Sequence, residues 1–178
     1  IYYTLDGSEP TSSSGKLYAG KMLVSGSSRK AVVTMLARAT KDGYSPSPVT
    51  ASTYIFLDHV PSQPSDPDGF PGQWGSAPAA DYAMDPEVVN DASYRGIFRD
   101  ALLQIPSISL VCDRDDLFGE GGIYSDPQEQ GDDSERPASA ELLYPDGRAG
   151  FQVNCGVRII GSMSRDPIMN PKHSFRLL

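Results

Sequence analysis

Several groups of residues have the types and spacing that chemistry could use. Asp113-Arg114-Asp115-Asp116 puts three carboxylates into four positions, the raw material of a cation site. The calcium-loop pattern with its glycine at the sixth position is absent, so a solvated turn is expected there. Asp6-Gly7-Ser8-Glu9 offers a second acidic group, but Asp and Gly are what a tight turn demands of its backbone. Gly119-Glu120-Gly121-Gly122 has the glycine content of a phosphate-cradling loop. Such a loop needs a strand before it, a helix after it and, in the P-loop, a Gly-Lys-Ser/Thr ending; neither helix nor lysine follows. His59 and His173 have no Cys or His at ligand spacing, so no metal site is expected. No Gly-x-Ser-x-Gly elbow occurs, and nothing singles out two of the 23 acidic residues for glycoside hydrolysis. A hydrolase is therefore not the leading reading.

The elements that position these residues are mostly short strands. In residues 1–56 the run Ile1 to Leu5 leads into the turn Asp6 to Pro10, Ala31 to Thr40 alternates with period two, Lys41-Asp42-Gly43 turns, and Thr50 to Phe56 reads as a last strand. Several short strands at turn-marked intervals predict a small antiparallel β-sandwich. Residues 57–84 read as a linker, with Pro61, Pro64, Pro67, Pro71 and Pro78 among Ser, Asp and Gly. Its large anchors are Phe70 and Trp74, and a loop pinned to a neighbouring domain by an aromatic is expected ahead of a sugar-stacking tryptophan.

Residues 85–178 open with a short helix capped by Asp85 with Pro86 at its first position. A second helix capped by Asn90 or Asp91 is expected to run to about Gln104, with Phe98, Ala101, Leu102 and Ile105 as its apolar stripe. Pro106 ends it, and Ser107 to Cys112 reads as a buried strand. Ala138 to Tyr144 and Gly150 to Ile160 predict a hairpin around Pro145-Asp146-Gly147. In its second strand Phe151, Val153, Cys155, Val157 and Ile159 share one face, and Gln152, Asn154 and Arg158 the other, which makes one face core and the other wet or functional. The fold class is mainly β with a few short helices, the second part α+β.

Composition bounds the function. The 178 residues carry 23 acidic and 15 basic side chains, a net charge of −8, and no clustered Lys/Arg surface, which argues against nucleic acid as a partner. The longest apolar run, around Ile108 to Cys112, is far short of the roughly 18 residues that span a bilayer. Ile1 falls inside a strand-like run and Leu178 ends another, so the chain reads as an internal fragment, and the lack of a signal peptide carries no information on localisation. Cys112 and Cys155 make no disulfide framework; buried free thiols are expected ahead of a bridge between neighbouring strands.

Two resemblances add to this reading. Ile1 to Thr11, Leu17-Tyr18-Ala19-Gly20, Ala37-Arg38-Ala39 and Lys41-Asp42-Gly43-Tyr44 resemble the chitobiase/β-hexosaminidase C-terminal-type β-sandwich repeat. That resemblance implies an accessory domain of an exported, carbohydrate-associated bacterial protein, with polysaccharide as a possible partner, and implies no catalysis. From residue 105 onward, Ile105 to Val111, Asp116-Leu117-Phe118, Gly122-Ile123-Tyr124, Glu135 to Ser139, Asp146-Gly147, Gly150 to Asn154, Gly156 to Ile159, Ser164-Arg165 and Asn170 to Leu177 follow one another as in a CotH-type (spore coat protein H-like) kinase. The resemblance covers roughly residues 70–178, the N-terminal portion of that domain.

The second resemblance implies an atypical protein kinase that uses ATP with Mg²⁺ or Mn²⁺ to phosphorylate Ser or Thr of an extracytoplasmic or coat protein, secreted or at the cell surface. Phosphoryl transfer needs cations near the phosphates and carboxylates that hold metal and orient the hydroxyl. By the resemblance, Lys172, Arg176 and Arg158 are the phosphate-side cations, and the metal-binding and catalytic acids lie beyond Leu178, so this stretch alone is expected to be inactive. The chain departs from the family at Arg158-Ile159-Ile160-Gly161-Ser162-Met163, where a basic residue and a glycine are lost, and at Ser134, where a tryptophan is expected. Lys172 and Arg176 read equally well as strand-edge charges. The alternative function is a non-catalytic surface or adhesion protein built on the carbohydrate-associated sandwich.

Overall fold

A computed structural model describes residues 1–77 and 79–178. Pro78, counted among the linker prolines above, lies outside the described residues. The chain is mostly β with few short helices, arranged in two four-stranded antiparallel sheets.

The first sheet comprises β1 (Tyr2–Thr4), β2 (Lys16–Leu17), β3 (Val32–Arg38) and β4 (Thr50–Ile55), in the order β2-β1-β3-β4. The alternating run expected over Ala31 to Thr40 becomes β3, which buries residues on both faces: Val33 with Ala31 on one, and Leu36 with its register partner Ala51 on the other. The Asp6 turn is a local structure: the Asp6 carboxylate accepts from the Ser8 N–H at 3.1 Å and the Ser8 hydroxyl at 2.6 Å, and this holds its carboxyl below its ordinary value.

The second sheet comprises β5 (Ser107–Cys112), β6 (Arg136–Leu143), β7 (Gln152–Ile160) and β8 (Ser174–Leu177), in that spatial order. The predicted hairpin is β6 and β7, closed by the Gly147 N–H donating to the Tyr144 carbonyl at 3.1 Å. Pro137 sits within β6, yet costs no ladder bond toward β5, whose pairing stops at Ala138.

Among the described residues there are also four short α-helices. The first, α1 (Pro86–Val89), is capped as expected, Asp85 accepting from the Glu87 N–H at 2.8 Å. The helix expected to reach Gln104 is instead two pieces, α2 (Ala92–Arg95) and α3 (Phe98–Leu102), separated at Gly96. Glycine weakens the helix interior, and the stripe that should have driven continuity finds little to pack on: Phe98 and Leu102 are only partly buried and Ile105 is exposed. The acidic turn at Asp113 is also corrected. Asp113 caps α4 (Arg114–Phe118), accepting from the Asp115 N–H at 2.9 Å, and the remaining acids fill the first turn, where the helix dipole favours them.

The main core lies on the apolar face of the second sheet and is built partly from residues 57–84. Trp74, Ala77, Ile123, Tyr124 and Ile159 form one buried cluster, with Ala80, Tyr82, Leu117 and Phe118 packed around it. The Trp74 indole N–H donates to the Tyr82 hydroxyl at 2.7 Å, and that hydroxyl donates to the Pro71 carbonyl at 2.8 Å. At 7% exposure Trp74 has no ring face free for a sugar; it is an anchor. Gly75 follows it with φ +56°, where a Cβ would stand 1.9 Å from the Tyr124 carbonyl oxygen, so only glycine allows this close approach.

Candidate functional site

Alternation along the hairpin gives the second sheet two unlike faces. Ile108, Leu110, Cys112, Ala138, Ala140, Val153, Cys155, Val157 and Ile159 share the apolar face, whose far end the Trp74 layer covers. Ser109, Ser139, Glu141, Gln152, Asn154, Arg158 and, through the β7–β8 register, Arg176 share the polar one.

One end of the polar face is occupied by the first sheet. β4 is an edge strand, and edge strands leave backbone groups without a ladder partner. Here side chains of the second sheet supply the partners: the Thr53 N–H donates to Glu141 Oε2 at 2.7 Å, and Asn154 Nδ2 donates to the Val49 carbonyl at 2.9 Å. The Thr53 and Ser109 hydroxyls meet at 2.7 Å, and Gln152 Nε2 donates to Ser139 Oγ at 2.7 Å. The polar face anticipated from alternation is therefore a contact between sheets at this end. Beside it lies a cleft of about 400 Å³ bounded by Gly7 and Glu9 on one side and Asp113, Asp116, Cys112 and Cys155 on the other.

Arg158 and Arg176 stand at the other end of that face. They are register partners on β7 and β8, so their side chains leave the sheet side by side. Arg158 Nη1 lies 3.2 Å from Asp132 Oδ1; the Arg158 side chain is 17% exposed, its carboxylate partner fully so. Glu135 packs its side chain over Gly156, where a Cβ would stand 1.9 Å from Glu135 Oε1, so the glycine makes the room. Lys172 is not brought to this pair. It precedes β8 and its Nζ lies 2.7 Å from Asp81 Oδ2, in the segment that covers the apolar face.

Two neighbouring residues have structural partners that sequence reasoning did not find. Arg165 is buried and donates to the carbonyls of Gly161 at 2.9 Å, Pro127 at 2.8 Å, Glu129 at 2.9 Å and Ile159 at 2.5 Å, so the Gly161 turn is organised around this guanidinium. His173 is buried against the Tyr124 ring, with Nδ1 3.1 Å from the Ser164 carbonyl and Nε2 without a hydrogen-bond partner among the described residues. It immediately precedes β8. His59, the other histidine, lies in a 3-10 turn over 57–62. The local signal is the basic content of residues 158–176, and it does not reveal which carbonyls or rings those residues meet.

The cysteines are free, and each is paired in register with Ala138, so they lie on either side of β6. Burial and the carboxylates of Asp116 and Asp113 push the Cys112 thiol up to about 12, which removes it as a nucleophile at neutral pH. Among the described residues no three His, Cys, Asp or Glu side chains are grouped to hold a metal ion. No helix among them is long and apolar enough to cross a membrane.

Comparison with known proteins bears on the first sheet. Residues 1–52 match the model of the chitobiase/beta-hexosaminidase C-terminal domain. The match ends inside β4, before the second sheet begins. No curated protein and no solved structure matches the chain.

Proposed function

We propose that residues 85–178 are the leading portion of a CotH-like atypical protein kinase domain of an exported bacterial protein, joined through residues 57–84 to an accessory sandwich in residues 1–56. The observation that carries the reading is the polar end of the second sheet. The motif strands β7 and β8 are adjacent, and they set Arg158 and Arg176 together on one face. Two guanidinium groups suit the phosphate end of ATP, which offers several oxygens to planar donor forks. Mg²⁺ or Mn²⁺, which would neutralise developing phosphate charge when bound, finds no grouped acids among the described residues, and the resemblance puts those acids after Leu178. The chain's own share is thus phosphate positioning, and its acceptor is a Ser or Thr of an extracytoplasmic protein.

The test is transfer of labelled phosphate from ATP with Mg²⁺ or Mn²⁺, by this chain and by the longest reading frame that contains it. Transfer by the longer protein and none by this chain supports the kinase reading. Neither transfer nor ATP binding by the longer protein sinks it and leaves a non-catalytic surface protein with a carbohydrate-associated module.

A further inference from the structure

An edge strand offers backbone groups that a foreign strand can pair with, and proteins blunt such edges with charge, brevity or a covering contact. The outer strands of the two sheets are β2, β4, β5 and β8. Three of them are protected: β2 is two residues long and carries Lys16, β4 meets Glu141 and Asn154, and β8 carries Arg176. β5 is not. Its sequence Ser107-Ile108-Ser109-Leu110-Val111-Cys112 has neither charge nor proline, none of its residues is fully buried, and Ile108 is 66% exposed. The register shows which backbone groups are free. The Leu142 N–H donates to the Phe151 carbonyl, so even-numbered residues of β6 bond toward β7 and odd-numbered ones toward β5. Ser107, Ser109 and Val111 therefore bond inward to β6, and the N–H and C=O groups of Ile108, Leu110 and Cys112 point out of the sheet. Among the described residues those outward groups have no hydrogen-bond partner.

We propose that β5 pairs with β5 of a second copy of this chain, antiparallel about a two-fold axis at Leu110, to make one continuous sheet. A two-fold contact requires a surface that complements itself, and this strand does. With Leu110 opposite Leu110, Ile108 stands opposite Cys112, so every outward-pointing N–H and C=O faces an outward-pointing partner. The same register sets Ile108, Leu110 and Cys112 of both copies on the apolar face, and the serines of both on the polar one. Each copy has a net charge of −8, yet no charged side chain lies within either paired strand, so the copies can meet here without burying a carboxylate. The pairing goes beyond the kinase reading and does not depend on it.

Sedimentation velocity of this chain tests the association, and crosslinking tests its register. The wild type is expected to form dimers that tighten with added salt, because screening weakens the repulsion between like-charged copies. Leu110→Pro removes an N–H that its own sheet does not use, and Leu110→Lys puts a charge at the axis. Both variants are expected to associate about tenfold or more weakly while keeping the wild-type circular dichroism spectrum. For the register, Leu110→Cys in a chain that also carries Cys112→Ser and Cys155→Ser is expected to give a disulfide-linked dimer on oxidation. Opposed Cα atoms of a hydrogen-bonded pair lie about 5.5 Å apart, within reach of that bond. Ile108→Cys in the same background is expected not to crosslink, and to do so once Cys112 is restored. A wild type that stays monomeric at high micromolar concentration overturns the proposal and leaves the edge to a different chain. A dimer indifferent to Leu110→Pro, or Ile108→Cys crosslinking to itself as readily as Leu110→Cys, overturns it as well.

Discussion

Arg165 illustrates how a buried charge is tolerated without a counter-charge. Its guanidinium meets four carbonyl dipoles drawn from two stretches of chain, Pro127 and Glu129 in one and Ile159 and Gly161 in the other. Hydrogen bonds to a charged donor are the strong kind, and removing the donor strands every acceptor. Arg165→Met is expected to cost about 3 kcal/mol or more in urea unfolding, with Arg165→Lys intermediate because it keeps charge but loses the planar fork. Nothing in the sequence distinguishes this arginine from Arg158, seven residues earlier. The difference is which distant carbonyls converge on each, and convergence is a property of the folded chain. Trp74 was more legible, because a large aromatic ring in a Pro/Ser/Asp/Gly-rich segment gains most by burial, and the segment has few other means of attachment.

Elements were legible where period and punctuation agreed. β3 and the β6–β7 hairpin match the alternation of their sequences, β5 forms where a buried strand was expected but has no buried residue and an exposed Ile108, and the caps of Asp85 and Asp91 follow from side-chain geometry that extends over only a few residues. The stripe of Phe98, Ala101, Leu102 and Ile105 predicts one helix to about Gln104, but little surface receives it, and two short helices form instead. The acidic run before Phe118 was read as a turn because its carboxylates suit solvent and helix N-termini equally. Its placement has a pH consequence. Burial and the neighbouring Asp113 carboxylate raise the Asp116 carboxyl above its ordinary value. A carboxyl raised in the folded state binds protons more readily there than in the unfolded chain, so its contribution to stability is present below the ordinary carboxylate range and lost as pH rises through the raised value. Asp116→Asn is therefore expected to raise the thermal midpoint at pH 7, with the gain over wild type shrinking as pH falls below about 4. A gain that persists at low pH would show that titration is not its source.

At the scale of the whole molecule, the two sheets are joined by side chains that complete an edge strand. Glu141 accepts from the backbone of β4 at Thr53, and Asn154 donates to the Val49 carbonyl just before the strand. Glu141→Ala is expected to cost about 1–3 kcal/mol, since the Thr53 N–H is then buried without an acceptor, while Glu141→Gln keeps an oxygen and stays near wild type. The single tryptophan belongs to the second sheet's core, so its fluorescence follows that sheet, and far-ultraviolet dichroism follows both. In wild type the two signals are expected to change together in urea; in Glu141→Ala they are expected to separate. Coincident transitions in the variant would show that the sheets are coupled by something other than this contact. The hairpin's polar face was legible from alternation alone, but its partner was not, because β4 and β7 are brought together by everything between them.

The two thiols flanking β6 carry information about strand order. A disulfide needs Cα atoms within about 7 Å, and two residues with one strand between them are separated by two inter-strand spacings, about 10 Å. Cys112 and Cys155 can therefore oxidise to each other only in a chain where β6 has not yet been inserted or has been expelled. A crosslinked monomer would thus be a covalent record of a wrongly assembled sheet, trapped before its middle strand took its place.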